Sequence, residues 1–236
     1  NAKAVAEQTL LLMLGVVKNV VSGDRAVRDG RQMEVKMGYM GAGSLKELAD
    51  CKVGLIGFGA IGKATADMLH AFGVTVYYTK RHRLDIEEEA RYQVQYLPMD
   101  ELLKTCDMLS LHVPVTEETT GMCDREFFAK CRKGSYFVNT SRGELVDDDA
   151  LREALENGTI VMAGLDTLDH EPVQKSHPML SWPEETKEKI LFSPHIGGIT
   201  GSSFGRGYAM IWEDIEKISR GEAPGHIVNQ KELNRE

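Results

Sequence analysis

No C-x-x-C pair and no ligand-like histidine spacing accompanies the four cysteines, Cys51, Cys106, Cys123 and Cys131. That absence excludes a dithiol redox motif and the usual zinc-binding spacings, so no metal is expected. The apolar neighbours of each cysteine read instead as buried, reduced thiols in a cytoplasmic compartment. Long apolar runs are lacking too. The longest, residues 10–17, is far too short to cross a bilayer and carries no signal-peptide cleavage pattern, so a soluble chain with no membrane partner is expected. Positive charge is in deficit: 28 Lys and Arg stand against 36 Asp and Glu, a net charge of -8. A general affinity for nucleic acid is thereby excluded, because phosphate-binding surfaces need clustered basic residues. Internal repeats and low-complexity tracts are also missing. What is present is a chain of 236 residues, 42% apolar and 27% charged, enough for one large domain or one and a half with an ordinary core.

The most informative segment is Gly57-Phe58-Gly59-Ala60-Ile61-Gly62. It follows the apolar run 53–56 and precedes a helical pattern at 63–72, which is the strand, tight turn and helix that a dinucleotide needs. The first glycine permits the turn and the second lets backbone approach a pyrophosphate. The third lets helix and strand pack closely, with unpaired amides and the positive helix end facing the anion. A glycine-rich turn without a ligand is the alternative, and the agreement of strand, spacing and helix weighs against it.

Apolar runs at 52–56, 74–78, 93–97, 108–112, 136–139, 160–165 and 190–193 read as strands. Helical patterns lie between several of them, at 99–105 and at 148–157, the latter with Asp147 as N-cap and Gly158 as stop. Alternating β and α with apolar strands predicts an α/β fold, a doubly wound parallel sheet of Rossmann type. A helix at 2–21, apolar on most faces, precedes this unit, and residues 22–50 read as a polar arm. A further helix at 203–220 and a polar tail at 221–236 follow it.

Ligands of such sheets bind beyond the strand C-termini, and three segments place chemistry there. Asn139-Thr140-Ser141-Arg142-Gly143 offers a guanidinium able to grip a carboxylate with two parallel hydrogen bonds. Asp166-Thr167-Leu168-Asp169-His170-Glu171-Pro172 delivers acids, and Ser193-Pro194-His195-Ile196-Gly197-Gly198 delivers a histidine. Taken singly, each has a plain alternative: Arg142 in a surface ion pair, Glu171 as a solvated acid, His195 as a structural imidazole. Three such residues at successive strand ends around a cofactor turn favour catalysis.

Together with the opening Asn1-Ala2-Lys3-Ala4-Val5-Ala6-Glu7 and with His112-Val113-Pro114, these segments resemble the D-isomer-specific 2-hydroxyacid dehydrogenases over residues 1 to about 225. That family includes hydroxypyruvate and glyoxylate reductases and phosphoglycerate dehydrogenases. The resemblance implies hydride transfer between NAD(P)H and a 2-keto acid or D-2-hydroxy acid. Arg142 would bind the substrate carboxylate and polarise its carbonyl, His195 would be the acid-base residue, and Glu171 would orient and charge it. Gly57, Gly59, Ala60, Ile61 and Gly62 would hold the cofactor. Thr79, Lys80 and Arg81, then His112, Val113 and Pro114, then Thr140, Ser141 and Arg142 would line it, with Asp166, His195, Gly197 and Gly198 on the nicotinamide side.

An acid about 20 residues beyond the glycine turn normally holds the ribose of NAD. Here Tyr78-Thr79-Lys80-Arg81-His82-Arg83 occupies that region with no acid before Asp85, which favours NADPH over NADH; a solvated basic loop is the alternative. The resemblance also implies a division of the chain. Residues 1–200 would be the dinucleotide-binding domain, with a connecting helix at 1–21, a dimerisation arm at 22–50 and the core at 51–200, and residues 201–236 would return toward a substrate domain. The helix from Ala2 and this arm resemble the family's dimer-forming region, which implies a two-fold homodimer. Full-length members begin with a substrate lobe ahead of the Asn1 segment, so the wall that selects the substrate side chain is expected to lie outside this sequence, and the chain by itself to bind cofactor with or without turnover. Competing readings are a dinucleotide-sensing corepressor of the same fold and a phosphite dehydrogenase. A formate dehydrogenase is disfavoured, because that relative carries glutamine where Glu171 stands.

Overall fold

Seven short apolar strands build the centre of the computed structural model, which describes residues 1–227. They are Lys52–Ile56 (β1), Thr75–Thr79 (β2), Gln95–Tyr96 (β3), Met108–Leu111 (β4), Ser135–Asn139 (β5), Ile160–Leu165 (β6) and Ile190–Phe192 (β7). Every pairing is parallel, in the order β3-β2-β1-β4-β5-β6-β7. The expected doubly wound α/β sheet is therefore present. β3 is shorter than the 93–97 run suggested, because Gln93 takes a left-handed φ of +49 and closes the helix before it. The 228–236 part of the expected polar tail lies outside the described residues.

The helices are Ala2–Val17 (α1), Val20–Arg28 (α2), Gln32–Ala42 (α3), Ala60–His70 (α4), Ile86–Tyr92 (α5), Met99–Thr105 (α6), Arg125–Lys130 (α7), Asp148–Glu156 (α8), Glu184–Lys187 (α9) and Gly201–Ser219 (α10). Successive strand residues point to opposite faces, and both faces are covered. Leu109, Leu111, Phe137 and Ala163 pack with Leu102 and Leu103 of α6, Phe127 and Phe128 of α7, and Leu151 and Leu155 of α8. Val53, Leu55, Val76, Met108, Tyr136 and Val138 pack on the other side with Leu12, Met13 and Val16 of α1 and Ala66 and Leu69 of α4. All four cysteines are free and buried, each within one of these two layers.

Two expectations for the N-terminal region need correction. The helix expected over 2–21 ends at Val17: Asn19 adopts φ +48, and α2 leaves at 61° to α1. The apolar residues Val20 and Val21 continue past that bend, so hydrophobic periodicity alone did not mark it. The arm at 22–50 is mostly helical, built from α2 and α3, with Val27, Met33, Met37 and Met40 exposed.

Two compact units divide the chain: Ala2–Gly197, which contains the whole sheet, and a second made of Asn1 and the segment from Gly198 onward. Within the second, Thr200 caps α10 by accepting from the Ser203 amide. Phe204, Tyr208, Ile211, Trp212 and Ile215 are exposed on that helix.

Candidate active site

β1 has β2 on one side and β4 on the other, so the chain reverses its order of travel between them and leaves a crevice at their C-terminal ends. Gly57 opens that crevice. Its φ is +95, its amide donates to the Thr79 carbonyl at 2.9 Å, and a Cβ there would stand 2.3 Å from the His112 carbonyl oxygen. A Cβ at Gly62 would lie 2.8 Å from the Gly57 carbonyl, so α4 can approach the turn only because that residue is glycine. Gly59 differs: a Cβ there meets no protein atom within 4 Å. Close packing inside the chain therefore does not call for glycine at that position. It is the N-cap of α4 and offers no side-chain cap, leaving a bare cradle ahead of Ala60 and Ile61 where the first helical amides face an approaching anion. A dinucleotide pyrophosphate fits a cradle that a Cβ would fill. Phe58 is buried against Tyr78, ring centroids 4.8 Å apart, and anchors the turn from beneath.

The end of β2 carries Thr79, Lys80 and Arg81. Thr79 is buried, and its carbonyl receives the Gly57 amide. Arg81 pairs with Glu118, and Arg83 holds Glu89 with two hydrogen bonds of 2.7 and 2.8 Å. The basic loop read from sequence thus has two of its cations already engaged by carboxylates, while Lys80 has no ion pair among the described residues. Glu89 also accepts from the Tyr78 hydroxyl at 2.8 Å, and burial is the main influence pushing that phenol up to about 12.

His112, Val113 and Pro114 leave β4 beside the glycine turn. The His112 Nε2 lies 3.0 Å from Ser110 Oγ, and its Nδ1 is buried without a protein partner. Burial pushes this imidazole down to about 4. It is therefore neutral at ordinary pH, with one buried ring nitrogen left unpartnered.

The three remaining strand ends converge. Beyond β5, the Asn139 side chain grips its own loop, accepting from the Ser141 amide and donating to the Arg142 carbonyl, and Ser141 Oγ donates to Leu111 O at 2.7 Å. Thr140 is buried, its hydroxyl 2.8 Å from that of Thr9 on α1. A Cβ at Gly143 would fall 1.9 Å from the Leu168 carbonyl carbon, so the loops after β5 and β6 interlock as only glycine permits. That interlock puts Arg142, Thr167, Leu168, Glu171 and His195 on the wall of one cavity of about 280 Å³. Arg142 Nη1 donates to the Ser141 carbonyl at 2.7 Å, and the residue is exposed. Glu171 Oε1 accepts from the Leu168 amide at 3.0 Å, and its Oε2 is 2.6 Å from His195 Nδ1. His195 Nε2, opposite the nitrogen held by Glu171, is the ring atom left for a substrate.

Asp166, expected on the nicotinamide side, holds the loop that carries His195. Buried at the end of β6, it accepts from Ser193 Oγ at 2.5 Å, from the Ile196 amide at 3.1 Å and from the Gly197 amide at 2.9 Å. Its carboxylate thus clamps the loop on both sides of His195, which itself holds φ +56. Gly198 falls in the other compact unit, where a Cβ would lie 2.8 Å from Asn1 Nδ2. Sequence reading missed Gln8, Thr9 and Thr167. The first two are uncharged polar residues next to the apolar run of α1, which was the available signal, and Thr167 Oγ1 is buried without a protein partner on the wall of the Arg142 cavity.

Residues 10–197 match the family model described as "D-isomer specific 2-hydroxyacid dehydrogenase, NAD binding domain". The chain is 34% identical over 230 residues to a glyoxylate reductase of Korarchaeum cryptofilum, which covers 97% of this chain and 67% of that relative. Among solved structures it is similar to an apo D-mandelate dehydrogenase of Rhodotorula graminis, with a TM-score of 0.83 and 28% identity over 92% of this chain and 62% of that one. It is likewise similar to a D-lactate dehydrogenase with NAD+ from Lactobacillus jensenii, with a TM-score of 0.82 and 27% identity over 97% and 69%. The chain spans about two thirds of the length of these proteins.

The His112 imidazole makes stability depend on pH in a defined direction. Its folded pKa, near 4, is below the unfolded value of 6.5, so the unfolded chain binds the extra proton between them. This contribution is complete above about 6.5 and is lost as pH falls toward 4, by about 3 kcal/mol. Urea unfolding of wild type and His112→Asn across that window is expected to show a steeper loss in wild type. Parallel curves would contradict the assignment.

Proposed function

We propose, from the premise that the chain belongs to the D-isomer specific 2-hydroxyacid dehydrogenases through their NAD binding domain, that it carries the cofactor and proton-transfer half of a 2-keto acid reductase. The substrate class is glyoxylate, hydroxypyruvate or a close relative, interconverted with the D-2-hydroxy acid. The observation that carries this reading is the 2.6 Å contact between Glu171 Oε2 and His195 Nδ1 on the cavity wall that Arg142 shares.

When bound, NAD(P)(H) supplies or takes the hydride. Gly57, Gly59 and Gly62, with the first amides of α4, would hold its pyrophosphate, and His112, Val113, Pro114, Thr140, Ser141 and Gly197 would line it. Asp166 would fix the loop on the nicotinamide side. Arg142 keeps its charge at any working pH, so it pairs with the substrate carboxylate and stabilises negative charge growing on the carbonyl oxygen. His195 gives its Nε2 proton to that oxygen in reduction and takes it back in oxidation. Glu171 accepts a hydrogen bond from Nδ1 and so fixes the ring with Nε2 free for this transfer.

NADPH is the favoured cofactor. Thr79, Lys80 and Arg81 would meet a 2'-phosphate at the end of β2, and no acid of their own segment precedes Asp85. The Arg81 pair with Glu118 is exposed on both sides, so it opposes little when a phosphate competes for the guanidinium. The domain roles also belong to this reading: the 22–50 segment forms a two-fold homodimer, for which exposed Val27, Met33, Met37 and Met40 supply apolar surface, and the helix α10 belongs with a substrate domain. Four buried free thiols fit a reducing, cytoplasmic setting.

Three outcomes are expected. Assayed for NAD(P)H oxidation against glyoxylate and hydroxypyruvate, His195→Ala should lose about 100-fold or more in kcat with cofactor affinity nearly intact, and Glu171→Ala should lose about tenfold or more. Survival of either variant within a few-fold of wild type would overturn these roles. For cofactor choice, kcat/KM should be higher with NADPH, and Lys80→Ala should narrow the difference; a clear NADH preference in wild type contradicts it. Light scattering should give twice the chain mass, falling toward one on Met37→Glu, and a concentration-independent monomer would dismiss the dimer.

A further inference from the structure

α1 is buried through most of its length by apolar residues; of its polar residues Lys3 and Glu7 are exposed, whereas the adjacent Gln8 and Thr9 each reach a loop that carries chemistry. Thr9 Oγ1 donates to the Val5 carbonyl at 2.8 Å, so its only proton is committed and Thr140 Oγ1 must be the donor in the 2.8 Å contact between the two hydroxyls. Thr140 stands two residues before Arg142. Gln8 Nε2 donates to Ser193 Oγ at 2.8 Å, and Ser193 stands two residues before His195. The Ser193 proton goes in turn to Asp166 Oδ1 at 2.5 Å, and the same carboxylate holds the Ile196 and Gly197 amides just after His195. A Cβ at Gly197 would lie 3.3 Å from Gln8 Cβ, so Gln8 also packs directly on the far end of this loop.

We infer that Gln8 is a positioning residue for the proposed reaction, acting through Ser193 and Asp166 to hold His195, while its neighbour Thr9 holds the Arg142 loop, so that α1 sets the spacing between acid and cation. This rests on the reading of His195 as the proton donor. The chemistry of position 8 is specific: Ser193 has one proton, which Asp166 takes, so its oxygen presents lone pairs to α1 and only a donor serves there. His195 needs such a brace because φ +56 is a left-handed backbone that an L-residue adopts at a cost. Small displacements of a reacting group lower rates strongly, so loosening this loop acts on turnover before it acts on binding.

Gln8→Leu removes the donor and keeps bulk, whereas Gln8→Glu keeps the shape and cannot donate when ionised. Each should lower kcat for hydroxypyruvate reduction about fivefold or more, with KM for the keto acid and the NADPH dissociation constant changed less than twofold. In the Ser193→Ala background, Gln8→Leu should have little further effect, because the two act through one chain of hydrogen bonds. Wild-type kcat in Gln8→Glu, or losses that simply multiply in the double variant, would overturn the inference. Should the wild-type chain reduce no keto acid, the functional reading fails separately. Hydrogen exchange at the Ile196 and Gly197 amides then tests the brace alone, with faster exchange in Gln8→Leu expected and unchanged protection contradicting it.

Discussion

The contact between Glu171 and His195 joins loops that leave two neighbouring strands, and the site depends on its being made. Parallel strands bring their C-terminal ends to one edge, but loops only a few residues long do not by themselves aim side chains at each other. Here the aim comes from polar groups buried beneath the loops. Asp166 at the end of β6 takes three donors from the segment that follows β7, and Gly143 lets the loop after β5 nest against Leu168. The carboxylate, the imidazole and the guanidinium share one cavity because those deeper contacts leave each loop little room to move.

The same principle operates at the glycine turn, with backbone in place of side chains. Gly57 and Gly62 are needed because the His112 carbonyl and the turn's own carbonyl come close, while a Cβ at Gly59 would meet open space, which leaves room for a group from outside the chain. A bare helix start and a neutral, buried His112 with an unpartnered nitrogen lie by this turn. The crevice therefore offers neutral donors and backbone amides, suited to a charged, elongated ligand whose negative groups meet the helix end. Charge of the opposite sign lies at the tip of β2, partly neutralised by Glu118 and Glu89.

Much of this was legible in the sequence, for reasons that can be stated. Lys52–Ile56, Met99–Thr105 and Ile160–Leu165 fall where apolar patterning put them, because strands buried on both faces and short amphipathic helices carry strong local signals. The glycine spacing told of the turn since each glycine answers a separate steric demand. The pair of Glu171 and His195 was expected from a family resemblance, which supplied the long-range proximity that no local rule contains. What stayed hidden shares one property: the deciding partner is distant in sequence. The Arg81 ion pair stayed hidden because Glu118 lies 37 residues away, and the hydrogen bonds to Asp166 because their donors come from beyond β7. The bend at Asn19 was hidden differently, since apolar side chains run on through it and periodicity does not report a backbone that turns left-handed.

The central claim, that these strand ends carry out reduction of a 2-keto acid, is tested most directly by following a labelled hydrogen. NADPH carrying deuterium at the transferable position of its nicotinamide is incubated with the protein and hydroxypyruvate, and the product is analysed by mass spectrometry and chiral chromatography. The account expects deuterium at C2 of the D-2-hydroxy acid. Deuterium retained on the cofactor, or a product of the opposite hand, would contradict it.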